Sequence, residues 1–331
     1  MDRLTVHPEV QDAMASGRPI VLLESAVTTC GLPRSPWTWD EDAIAGIAPD
    51  WRLDQPINLE LARMMSATVR AGGAIPATTA IMDGQWHVGL DAADVVALAC
   101  DETAGKASAS TAAGALLGGG RCGTTVSGVL TVAQQMKRVL GNAPEVMATG
   151  GIGGVHRGWT DRPDISADLG VIASTPVVVV SAGVKSIVDV PATGEWLETL
   201  GVPILGLETA VMPSFIAGVD PEAPAVRSVP SAAQAAALAR LHWSSVNPGG
   251  GVMLTVPLEG DLVLPRDLVE EANQAAEEAA GDIDGPERTP HLLGHMAQAT
   301  GGRSLLANIA LLVRNAAVAA TLAGELGPGS S

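Results

Sequence analysis

The sequence predicts an α/β fold: three layers, α/β/α, around a central, largely parallel or mixed sheet. Three observations carry this prediction. Short apolar runs alternate with amphipathic stretches of helical spacing almost from end to end. The run VVVV at 177–180 is apolar on both faces, as a strand covered by helices on both sides must be. The chain has 331 residues, 47% of them hydrophobic, enough for a sizeable core.

The elements follow in order. Residues 19–25, PIVLLES, read as a buried strand. Residues 58–73 have helical spacing and stop at Gly72-Gly73. Residues 74–82 read as a strand, and the segment around Trp86 and Val88 as its hairpin partner. Helices are expected at 91–99, 126–140, 195–201 and 231–246, and strands at 145–150, 175–183, 203–209 and 251–257. From residue 265 onward the chain turns helical. No linker rich in Pro, Gly or Ser divides it, so a single domain is expected over 1–326, with a disordered tail at 327–331.

One segment breaks the pattern. Residues 34–57 hold Trp37, Trp39 and Trp51 among five carboxylates and three prolines, with no clean period. A structureless loop of this length in a compact domain is usually a functional lid or disordered. Disorder disfavours tryptophan, so the segment reads as a lid.

The totals exclude some functions. A net charge of −17 argues against a nucleic-acid surface, which needs clustered Lys and Arg. A small anion remains possible where a few basic residues converge. Three cysteines without metal-type spacing fit a reducing compartment. The first residues, MDRLTVHPEV, hold no signal-peptide core, and no apolar run approaches the ~20 residues of a membrane span. A cytoplasmic protein is expected, with neither nucleic acid nor membrane as partner.

Four places carry residues suited to chemistry. Glu24 ends the first buried strand, where ligands of open α/β sheets bind. It reads either as a carboxyl with a raised pKa, able to act as acid or base, or as a helix cap or lysine partner. The run Gly150-Gly151-Ile152-Gly153-Gly154 brings backbone N–H groups close to any anion and is followed by His156 and Arg157; it serves equally as a tight turn. Asp164 and Asp168 would share a face if helical and hold a hard divalent cation, or else cap a helix. Lys185 follows the valine strand through Ser181, Ala182 and Gly183. A lysine among apolar residues loses hydration and becomes a nucleophile able to form a Schiff base; the other reading is a stem that snorkels to water.

Together these segments resemble the pseudouridine-5′-phosphate glycosidases, the family that includes the indigoidine-cluster A proteins. The matching pieces are LLES with Glu24, GAIPATTAIMDG, KAS with Lys106, GTTV at 123–126, ATGGIGGVHRG at 148–158, DISADL at 164–169, SAGVKSI at 181–187 and SLLANI with Asn308. They stand in the family's order from about residue 5 to about 325.

The resemblance implies a homotrimeric α/β/α enzyme acting on ribose 5-phosphate joined by a C–C bond to a base. It implies that Lys185 forms an imine with C1′ of the opened ribose and that Glu24 donates the proton that helps open the ring. Asp164 matches a Mn²⁺ site. Lys106, Val126, Ser166, Ala167 and Asp168 match substrate contacts, and Thr149, His156 and Asn308 match residues near the base or the reacting centre. The chemistry is consistent. A C-glycosidic bond has no leaving oxygen to protonate, so the paired-carboxylate route of ordinary glycosidases fails. An iminium at C1′ is an electron sink that lets the adjoining C–C bond form or break.

Two departures bear on substrate. Where the family carries charged residues after Lys106, this chain has Ser108-Ala109-Ser110-Thr111-Ala112. Where the family's first motif carries a histidine, this chain has Cys30, followed directly by the tryptophan-bearing segment. Tryptophan faces suit a flat aromatic partner. The expected function is therefore a C-glycosynthase of natural-product biosynthesis that joins ribose 5-phosphate to an aromatic aglycone. The alternatives are a pseudouridine-5′-phosphate glycosidase releasing uracil, and an inactive sugar-phosphate-binding protein.

Overall fold

The computed structural model describes residues 3–161, 163–280 and 288–327. Thirteen strands occur among them: β1 (Leu4–Val6), β2 (Ile20–Leu23), β3 (Ile75–Met82), β4 (Gln85–Val88), β5 (Gly105–Ala107), β6 (Cys122–Thr124), β7 (Val146–Ala148), β8 (Val155–His156), β9 (Val178–Ser181), β10 (Val188–Asp189), β11 (Ile204–Leu207), β12 (Arg227–Val229) and β13 (Val252–Thr255). Eleven form one sheet in the order β1-β4-β3-β2-β7-β9-β13-β11-β12, with β6 paired to β3 and β5 to β6. Strands β8 and β10 form a separate antiparallel pair.

The sheet is mixed and mostly parallel. Every pair from β3 through β12 along the main path is parallel. The β3–β4 pair is antiparallel, the expected hairpin. Its tight turn runs through Asp83 and Gly84, both at positive φ. Strands β2, β7, β9 and β13 are buried at nearly every position. They hold Leu22, Leu23, Met147 and the valines 178–180, all within 1% of complete burial. Burying such a side chain contributes about 2 kcal/mol each, which fixes these strands at the centre.

Helices flank the sheet. The helix Arg303–Leu326 crosses β2, β7 and β9 and packs between Ile57–Ala71 and Ala232–Ser245. It is long and apolar enough to cross a membrane, contrary to the expectation that no stretch approaches that length. Here 67% of its apolar window is buried inside the fold, and Arg314 on it pairs with Glu259 at 2.6 Å. A second group of helices, Val126–Leu140, Ala167–Ala173 and Val190–Thr199, packs in sequence.

Most expected elements occupy their places. The helix expected at 195–201 starts earlier, at Val190, because Asp189 caps it and Pro191 supplies a first-turn φ. Asp164 and Asp168 do not share a helix face. The helix begins at Ala167, with Ser166 as its cap, and Asp164 stands outside it. The segment 34–57 is not structureless. Asp40 caps a helix, Glu41–Ile47, and Pro36 bridges to Pro56. Of the tail, residues 328–331 lie outside the described residues.

Candidate active site

The site stands at the carboxyl ends of three neighbouring parallel strands, β2, β7 and β9. The β2–β7 register sets Leu23 beside Ala148, so the next residues, Glu24 and Thr149, emerge side by side. The Thr149 hydroxyl donates to Glu24 Oε1. Thr149 is held in turn from the helix above: Asn315 Nδ2 donates to its carbonyl at 2.7 Å and to that of Gly150 at 3.3 Å. On the other side Ser25, Thr79 and Thr124 form a buried hydroxyl chain, with the Thr79 and Thr124 oxygens 2.7 Å apart. Glu24 is thus held through Thr149, while the neighbouring hydroxyl chain ties Ser25 to the adjoining strands.

Lys185 reaches the site through a turn after β9. Gly183 sits there at φ +80°, and a Cβ would lie 2.0 Å from the Pro213 carbonyl oxygen. Only glycine fits both the left-handed backbone and the close approach. The Lys185 N–H donates to Ile152 O at 3.0 Å, tying this turn to the glycine-rich run after β7.

Glu24, Lys106, Lys185 and Asn308 line one cavity of about 90 Å³, together with Cys30 and Phe215. Burial pushes the Glu24 carboxyl above the ordinary range; the Lys185 charge and the Thr149 hydrogen bond pull the other way, and the Asp168 charge adds to the rise. A carboxyl so placed carries a proton at higher pH than a free one and is suited to general-acid work.

Asp168 has another task. Its Oδ1 accepts the Ser127 N–H at 2.8 Å and its Oδ2 the Gly153 N–H at 2.9 Å. It ties the start of the helix Val126–Leu140, where Val126 is buried, to the glycine-rich run. Ser166 caps its own helix and Ala167 is exposed at the first position. Neither lines the cavity, and neither do His156 and Asp164.

Asp164 is 61% exposed, with His156 Nδ1 3.9 Å from its Oδ2. Among the described residues no group of three or more His, Cys, Asp or Glu stands together to hold a metal. One carboxylate beside one imidazole fits a hard divalent ion that keeps most of its water shell.

The tryptophans are not brought to the cavity. Trp37 and Trp51 are buried in the core, Trp37 donating from Nε1 to Asp40 O at 3.0 Å. Trp39 meets Trp37 edge-on at 5.2 Å, and its ring covers Gly302, where a Cβ would come within 2.5 Å of it. Their apolar rings are used for packing, so the lid over an aglycone is not the arrangement seen.

A second cavity of about 200 Å³ adjoins the first and shares Cys30, Gly31, Phe215 and Asn308 with it. Its remaining wall is mainly apolar, from Leu32, Pro33, Ile216, Met296, Ala297 and Leu305. Sequence reasoning missed Phe215 and Asn315. Asn315 left a signal, an amide inside the apolar stretch LLVRNAA, since buried amides require partners. Phe215 left none.

The family model described as indigoidine synthase A like protein matches residues 51–325. A pseudouridine-5′-phosphate glycosidase of Herpetosiphon aurantiacus is 40% identical over 328 residues, covering 98% of this chain and 99% of the relative. One of Sorangium cellulosum is 41% identical over 334 residues, covering 98% and 95%. Among solved structures, the prealnumycin C-glycosynthase AlnA, determined with ribulose 5-phosphate, superposes with a TM-score of 0.80 at 34% identity over 98% of both chains. An indigoidine synthase A-like protein of Thermotoga maritima gives 0.80 at 28% over 98% of both chains. The chain belongs to the pseudouridine-5′-phosphate glycosidase family, that of the indigoidine synthase A-like proteins.

Proposed function

We propose that this enzyme forms, and reversibly cleaves, a C–C glycosidic bond between ribose 5-phosphate and an aromatic aglycone, acting as a C-glycosynthase of natural-product biosynthesis. The observation that carries the aglycone is the apolar cavity that opens on the cavity of Glu24, Lys106 and Lys185. An apolar wall with few polar groups suits a flat aromatic body better than uracil, whose polar edges would be left unpaired.

The residues divide the work. Lys106 offers a positive charge to the sugar phosphate, beside the N-terminus of the helix Val126–Leu140. Glu24, protonated, gives its proton to the ring oxygen as ribose opens to the aldehyde. Lys185 Nζ attacks C1′ and water leaves, giving an iminium. The aglycone carbon attacks C1′ with its electron pair and loses its proton to the Glu24 carboxylate. The sugar hydroxyl then returns to C1′ and the lysine amine departs. A Mn²⁺ ion on Asp164, keeping its waters, would add positive charge near the site. The homotrimer implied by the resemblance belongs to the same reading, and sedimentation analysis tests it.

The 40–41% identities to proteins named glycosidases, against 34% to the C-glycosynthase, favour a second reading, release of uracil from pseudouridine 5′-phosphate. One assay separates the two. The enzyme is given pseudouridine 5′-phosphate with Mn²⁺. Rapid uracil release that stops in Lys185→Ala makes it a glycosidase and overturns the aromatic reading. No release, with borohydride trapping of ribose 5-phosphate on Lys185, supports the synthase.

A further inference from the structure

We propose that Phe215 is the specificity-determining wall of this enzyme, the surface on which the flat aglycone lies when its carbon meets the Lys185-bound sugar carbon; this rests on the aromatic reading above. Phe215 is the chain's one phenylalanine and is 4% exposed. It lines both the sugar-side cavity and the apolar cavity. An aglycone bonded to a sugar carbon must span that junction.

The backbone holds the ring there against its own preference. Phe215 has φ +62°, a region bulky side chains avoid. Its N–H donates to Ala182 O at 3.0 Å, and Ser214 before it bridges to Gly183. Both partners lie in the turn that carries Lys185. The ring lies against Gly151, where a Cβ would come within 2.8 Å of Phe215 Cδ2 and 3.2 Å of the Lys185 backbone nitrogen. Ring, glycine and lysine backbone form one contact. Phe215 belongs to the core by its burial, yet it also lines two adjoining cavities, which core packing does not require of a residue at positive φ. Such strain persists where the surroundings over-determine it, and it clusters at ligand clamps. A phenyl face offers a planar aromatic an offset or edge-on partner and offers a polar edge nothing.

The test uses the full chain and the variants Phe215→Ala, Phe215→Leu and Phe215→Gly. Ribose 5-phosphate is first trapped on Lys185 with borohydride. The adduct is then titrated with 2-naphthol by fluorescence. Formation of the borohydride adduct is measured in each variant and reports its sugar site, and 2-naphthol affinity is compared per adduct formed. The parent adduct is expected to bind 2-naphthol saturably, Phe215→Ala about tenfold more weakly, and Phe215→Leu between them. Phe215→Gly is expected to melt above Phe215→Ala, because glycine adopts φ +62° freely. Equal 2-naphthol affinity in Phe215→Ala and parent, or no saturable binding to the parent adduct, overturns the proposal. If Phe215→Ala does not fold, equal affinity in Phe215→Leu does the same. Absence of a borohydride adduct on Lys185 in the parent overturns instead the imine reading on which the proposal rests.

Discussion

The hydroxyl of Thr149 donates a hydrogen bond to Glu24 Oε1 across 125 positions of sequence. The two meet because β2 and β7 are parallel neighbours ending at the same level. The bond stabilises the charged carboxylate, while burial stabilises the neutral acid and prevails.

The sign of a pH effect follows. In the proposed mechanism Glu24 works as an acid, so activity should fall as pH rises through its raised pKa. Thr149→Val removes a donor that favours the charged form, and the alkaline limb of the kcat profile should move to higher pH. A limb that moves to lower pH contradicts the assignment.

Glu24 also bears on stability. A carboxyl raised on folding binds its proton more tightly in the native state, so stability falls as pH rises from the ordinary carboxyl range through the raised pKa. Glu24→Gln should abolish that slope in urea unfolding while lowering kcat about 10²- to 10⁴-fold. A slope that survives in the variant would assign it to another group.

Glu60 behaves in the opposite way. Its side chain is fully buried and accepts Arg52 Nε and Arg63 Nε, each at 2.9 Å. Burial alone would raise its carboxyl, but the bonds from Arg63 and Arg52 hold it below the ordinary value. Its contribution is present above the ordinary carboxyl pKa and lost as pH falls through the lowered one. Glu60→Gln should cost about 2 kcal/mol at neutral pH and less near the acid end, read by urea titration at both.

The apolar cavity can be filled from one side. Ala297 lines it and is 7% exposed. Ala297→Phe should leave borohydride trapping of ribose 5-phosphate intact and block coupling to aromatic acceptors, with little change in melting temperature. Coupling at the parent rate would place the aglycone elsewhere.

Asp164 is expected to hold the divalent ion. Mn²⁺ binding followed by electron paramagnetic resonance should weaken at least tenfold in Asp164→Asn. Unchanged binding would move the metal to other residues.

By itself the sequence determined the alternation that makes an α/β fold. Strands such as 177–180 and helices such as 126–140 are written in local apolar periodicity, which needs no knowledge of neighbours. It also determined the residue types at the site, because Glu24, Lys106, Lys185 and Asn308 sit in matching motifs. Tertiary structure decided the rest. The short strands β5, β6, β8 and β10 form through pairing with distant partners, with no periodicity of their own to announce them. The three tryptophans looked like a ligand surface, yet Trp37 and Trp51 are buried in the core and the partly buried Trp39 packs against it. Phe215 became a site residue only because a turn at Gly183 and the gap at Gly151 bring its ring beside Lys185. Such closeness depends on which strands end side by side, and composition does not encode that.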